Sequence, residues 1–182
     1  MKAITFLKPN LVDIEMISDT KSKIVIQPLE RGFGHTLGNA LRRVLLSSMP
    51  GSAVTEVSIE NILHEYSTID GVQEDVLEII LNIKKLALVL HEKDKIEVVL
   101  RKKGKGPVLA SDIEEHPNLE IKNPDFSLAN ITNDKTELVI NLTISQGKGY
   151  QPATKRKFNE LEDLGIGKMQ VDASFTPVEK VS

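Results

Sequence analysis

Three stretches of this chain carry residue types and spacings that could do chemistry. The first is Arg31-Gly32-Phe33-Gly34-His35-Thr36-Leu37-Gly38, where glycines follow a strand-like segment and open a helical one. In that setting glycines let a backbone cradle a phosphate. Gly32, Gly34 and Gly38 are spaced one residue longer than G-x-G-x-x-G. A dinucleotide site also needs repeated strand–helix units and an acidic residue about 20 positions on. Glu56 lies near that distance, but on the first strand after the helix rather than in a repeating array. The other reading of these glycines is a tight turn with close packing. The second stretch is the pair Arg42-Arg43, either a solvated helix face or a bidentate partner for a carboxylate. The third, His64-Glu65-Tyr66-Ser67-Thr68-Ile69-Asp70-Gly71-Val72-Gln73-Glu74-Asp75, concentrates polar groups ahead of a helix. His64, Glu65 and Asp70 match no recognised metal spacing, and His35, His91 and His116 are scattered. Glu74 and Asp75 suit the positive end of a helix dipole.

Other candidates are weaker. Lys102–Lys105 and Lys155–Lys157 are short basic clusters, and aromatics make up only 4% of the chain, so no stacking platform for nucleic acid is evident. Ser47-Ser48 has no base nearby in sequence, and there is no dense aspartate motif for a two-metal site. Catalytic residues, cofactors and metals are therefore not assigned.

The elements that must position these residues follow from periodicity. Leu37, Ala40, Leu41, Val44 and Leu45 recur at i, i+3, i+4, i+7 and i+8, which predicts an amphipathic helix over Leu37–Ser48. Thr36 suits its N-cap. Gly38 inside that helix costs roughly 1 kcal/mol against alanine, a cost that close approach of another backbone offsets. Pro50-Gly51 is expected to end this first unit. Alternation predicts strands around Val12–Met16, Ile24–Ile26, Ala53–Ile59, Ile96–Leu100, Leu138–Ile144 and Val171–Phe175. Val72, Val76, Ile79, Ile80, Ile83 and Ala87 mark a second helix beginning after Asp70-Gly71, with Lys84 and Lys85 in its last turns. Gly104–Pro124 and Gly147–Gly165 read as loops. The pattern is mixed α+β with more strand than helix.

Composition limits the classes. The 182 residues are 40% hydrophobic and 27% charged, with net charge −3, so no global basic field draws the chain to nucleic acid. The absence of cysteine excludes disulfides and thiolate metal sites and fits a reducing cytosol. The start, MKAITFLKPN, has no apolar core for a signal peptide, and no run of ~18 apolar residues would span a membrane.

The stretch Leu29–Gly51 (LERGFGHTLGNALRRVLLSSMPG) closely resembles the N-terminal domain of the α subunit of bacterial DNA-dependent RNA polymerase. So do FLKPNLVDIE, LHEYSTIDGVQEDVLEIILNIK, GKGPVLASDI, GKGYQPA and VDASFTPVEKV, in order along essentially the whole chain. The resemblance implies a discontinuous dimerisation domain, helices on a small antiparallel sheet, with an inserted mostly-β domain. Residues 1–50 and 168–182 would belong to the former and 51–167 to the latter, with hinges at Pro50-Gly51 and Gly165-Ile166-Gly167. It implies a non-catalytic cytoplasmic scaffold that pairs with a second α copy and docks the β and β′ subunits, the second-largest and largest chains. Leu37, Gly38, Leu41, Val44 and Leu45 would line the dimer interface. Arg43, Leu46, His64, Glu65, Tyr66, Gln73, Glu74 and Asp75 would dock a large subunit. No direct DNA contact is expected from this part. Family members continue past VDASFTPVEKV with the rest of the dimerisation domain, a linker and a small DNA-binding domain. A chain ending at Ser182 is accordingly expected to dimerise poorly. The rival readings are a small nucleotide-binding enzyme built on the Gly32–Gly38 turn and an independent DNA-binding module.

Overall fold

A computed structural model of the chain describes residues 7–157 and 167–182. These fall into two compact units, one through Val44 and one from Leu45 to Val181.

In the first unit, β1 (Leu11–Ser18) and β2 (Lys21–Gln27) form an antiparallel hairpin, with Ile14 opposite Ile24 and Val12 opposite Ile26. Helix α1 (Phe33–Ser47) follows. It starts four residues before the expected Leu37, because Phe33 N–H donates to the Glu30 carbonyl (3.0 Å) and His35 N–H to the Gly32 carbonyl (3.2 Å). Thr36 therefore lies inside the helix and is not its cap.

The second unit is built on β3 (Pro50–Ile59), which starts three residues before the expected Ala53. Pro50 and Gly51 thus open a strand, facing Lys148 and Gly147. Helix α2 (Val76–Ile83) is shorter than its periodicity implies. Asp75 is its N-cap, accepting from Glu78 N–H at 2.7 Å, and this side chain sets the start. Val72 instead bridges to Ile131. Lys84 is the C-cap, and Lys85 and Ala87 lie beyond the helix, so neither lysine sits in its last turn. The chain then forms β4 (Leu88–Leu90), β5 (Lys95–Lys103), β6 (Gly106–Leu109), a 3-10 turn at Ala110–Asp112, β7 (Leu119–Ile121), β8 (Ser127–Ile131) and β9 (Glu137–Lys148). It closes with β10 (Tyr150–Gln151), α3 (Ala153–Lys157), β11 (Lys168–Gln170) and β12 (Ala173–Ser174). The glycine- and proline-rich stretch expected as loop contains β6 and β7. Pro107 is tolerated because β6 pairs only with β8, leaving an edge without an N–H requirement. Gly165 and Ile166 lie outside the described residues.

All strand pairs are antiparallel. The main sheet runs β5-β9-β3-β4-β7, with β11 also on β3. Leu138, Ile140, Leu142 and Ile144 alternate toward the core, facing Ile96, Val98 and Leu100 on one side and Val57 and Ile59 on the other. A bulge at Thr55 keeps this order. The extra residue returns Val54 to the buried face opposite Ile144, while Val57 stays opposite Leu142. Thr55 Oγ1 is satisfied by the Thr143 carbonyl (3.2 Å) and Ser145 Oγ (3.1 Å). Val76, Ile79, Ile80 and Ile83 of α2 pack into the same core. Val171, Ala173 and Phe175 are buried as the alternation predicts, but they do not form one strand: β11 on β3 ends at Gln170, and only Ala173–Ser174 pair, as β12 on β10. The mostly-β character expected from the resemblance is observed in the second unit.

Ile140 is fully buried between Leu100 and Ile59. Ile140→Ala should cost about 2–5 kcal/mol of stability, because the neighbouring strands cannot collapse into the cavity. Urea unfolding followed by far-UV circular dichroism measures it.

Candidate functional site

Helix α1 carries the first group of candidate residues. None of its residues is buried: Leu41 is 47% and Val44 52% exposed, and Leu37, Leu45 and Leu46 are half-buried. Among the described residues no atom lies within 4 Å of where a Gly38 Cβ would sit, so none of them supplies the expected close approach of another backbone. Arg43 lies on an exposed part of the helix. The hairpin ahead of it is equally open, with Val12, Ile14, Met16 and Ile24 all more than half exposed.

The second group lies in the segment before α2. The loop is pinned at several points. Ser67 carbonyl accepts from Val76 N–H (3.1 Å), and Ser67 Oγ lies 3.1 Å from His64 Nδ1. Gln73 N–H donates to the Asn130 carbonyl (2.9 Å), and Asn130 N–H donates to Glu74 Oε2 (2.7 Å). Asn130 Nδ2 reaches Gln73 Oε1 at 3.1 Å. Gln73, Glu74 and Asp75 are thus engaged within the chain, Asp75 as the helix cap. His64 is exposed and Glu65 half-buried, while Tyr66 is 80% exposed. Leu63, which periodicity did not single out, is 69% exposed beside them. Exposed apolar residues in a polar loop were the available signal.

The basic cluster at Lys102–Lys105 lies partly on β5. Lys102 Nζ pairs with Asp112 at 2.8 Å, and Lys103 and Arg101 with Glu137 at 3.9 and 3.2 Å. His91 faces Glu120 (3.5 Å), and the neighbouring Lys122 ammonium holds the Glu120 carboxyl below its ordinary range. Among the described residues no group of three or more His, Asp or Glu is placed to hold a metal. A polar depression of about 220 Å³ on the sheet face opposite the core is lined by Glu56, Ser58, Glu97, Asn141, Thr143 and Lys168. Sequence reasoning passed over it, although these positions alternate with the apolar ones. Lys95 and Thr143 pair with Glu56 there (3.8 and 3.4 Å).

Parallel strand–helix–strand units, on which dinucleotide sites rest, do not occur among the described strands. What the second unit presents is an antiparallel framework holding a short helix and a pinned loop, the class of an α+β domain. The family described as RNA polymerase Rpb3/RpoA insert domain matches residues 57–176, and the chain belongs to that family of RNA polymerase subunits. DNA-directed RNA polymerase is a nucleotidyltransferase complex, and the chain's place in it is that of one component. No helix among the described residues is long and apolar enough to cross a membrane.

Asp75→Ala removes the α2 cap and should cost about 1 kcal/mol, whereas Asp75→Asn should cost far less because an amide oxygen still accepts from Glu78 N–H. Thermal melts of both variants read the difference.

Proposed function

We propose that the chain is a non-catalytic cytoplasmic assembly subunit of a bacterial RNA polymerase, pairing with a second copy of itself and docking the two large subunits. The observation that carries this reading is the family match over most of the second unit. The exposed apolar stripe of α1 supports the pairing. Leu37, Gly38, Leu41, Val44 and Leu45 lie at helical spacing on a helix that buries no residue, and such a face suits a self-complementary contact. The open space around Gly38 is room for a partner's backbone. Residues 1–50 and 168–182 are assigned to dimerisation and 51–167 to the inserted domain, a division that rests on the resemblance.

Docking on the second-largest subunit is assigned to Arg43 and Leu46 of α1 and to the loop from His64 to Asp75. An exposed arginine with a planar fork is suited to a partner carboxylate, and Tyr66 supplies a large, rigid aromatic surface. The other α copy would face the largest subunit chiefly through the inserted domain. No cofactor, metal or direct DNA contact enters this reading.

Arg43→Ala tests it. Truncating one partner of a desolvated charge pair costs about 2–5 kcal/mol, roughly 30- to 4,000-fold in affinity. Recovery of the second-largest subunit in a pull-down should fall by a factor in that range, with circular dichroism unchanged. Undiminished recovery would remove Arg43 from the docking surface.

A further inference from the structure

The loop from His64 to Asp75 is held by more internal bonds than a free recognition loop needs. Glu74 is half-buried, and its carboxylate accepts from Asn130 N–H at 2.7 Å. Gln73 N–H returns a bond to the Asn130 carbonyl (2.9 Å), so both backbone groups of Asn130 are engaged by the loop. Upstream, the Gly71 carbonyl accepts from Thr132 N–H (2.8 Å) and Thr132 Oγ1 (3.1 Å), and the Asp70 carbonyl accepts from Thr136 Oγ1 (3.0 Å). Gly71 has φ +81°, and a Cβ there would fall on Asn133 Nδ2 and Thr136 Oγ1. Asn133 is itself fixed, since its Oδ1 accepts from Lys135 and Thr136 N–H (3.1 and 2.8 Å). Strand β8 and the β8–β9 turn therefore grip the loop from Asp70 to Glu74. By contrast Leu63 and Tyr66, at the other end, are largely exposed.

We propose that Glu74, with the seat of Gly71 on Asn133 and Thr136, is a latch that sets the shape of the loop, and that Glu74 serves docking by position while Tyr66 and Leu63 make the contact. This rests on the docking reading above. A carboxylate holding a backbone N–H makes a charge-assisted bond. A partner that drew this carboxylate away from Asn130 would break that bond. A loop ordered before binding also loses less conformational entropy on association.

The test uses the full chain and four variants: Glu74→Ala, Glu74→Gln, Gly71→Ala and Tyr66→Ala. Amide hydrogen exchange over Asn130–Thr132 reports the latch, and affinity for the second-largest subunit reports docking. Glu74→Ala and Gly71→Ala should speed exchange and weaken affinity by about tenfold, the scale of ordering one or two side chains. Glu74→Gln, which keeps an acceptor oxygen, should restore both readouts. Tyr66→Ala should weaken affinity with exchange unchanged. If Glu74→Ala weakens affinity without faster exchange, Glu74 is a direct contact and the latch is wrong. Faster exchange with unchanged affinity would equally overturn the positioning role. Unchanged affinity in both Tyr66→Ala and Arg43→Ala would defeat the docking reading itself, and the exchange measurement would still decide whether the latch exists.

Discussion

The pairing of β9 with β3 and β5 is the constraint on which the second unit depends. Nine residues of β9 find partners on each neighbour, so its apolar alternation dictates which face of three strands is buried. A one-residue slip would turn Leu138, Ile140, Leu142 and Ile144 outward together. The bulge at Thr55 lets β3 obey that pattern along its whole length. At the far end of the pair, Gly51 faces Gly147, and neither position has room for a Cβ, because Phe175 fills the space. Everything with a candidate function in this unit hangs from that frame: β8 packs with α2, and the β8–β9 turn grips the loop ahead of it.

Among its described residues the first unit has no comparable core. Its hairpin exposes apolar residues from both strands, and α1 buries none of its own. A two-stranded hairpin is marginal in water by itself. The hydrophobic effect that orders the second unit internally is therefore little used among the described residues of the first. That difference suits the scaffold proposed above, in which one part folds on its own sheet and the other would be completed by assembly.

Much of this was legible in sequence. Ile96–Leu100 and Leu138–Ile144 alternate cleanly because one face of each strand is buried, and Ile79, Ile80 and Ile83 mark the inward face of α2. Boundaries were less legible where a local side chain or turn outweighed periodicity. Val72 continues the helical spacing of α2, yet Asp75 caps the helix after it. The short strands β4, β6, β7 and β8 have too few residues to show a period, and Pro107 speaks against a strand until its edge position is known. At the candidate site, residue type suggested that Glu74 and Asp75 answer the helix dipole. Their actual engagements, a backbone amide of β8 and the cap, depend on long-range folding and one local bond respectively. Tyr66 entered only with the loop that the resemblance assigns to docking, and its exposure emerged from the fold.

The most direct test of assembly through this loop is oxidative footprinting of the chain alone and within the assembled polymerase. Tyr66, 80% exposed in the single chain, is a reactive aromatic reporter. Docking of one of the two copies on the second-largest subunit requires the Tyr66 oxidation rate, averaged over both copies, to fall by up to about twofold in the complex. Equal oxidation of Tyr66 in the free chain and in the complex would contradict docking through the His64–Asp75 loop.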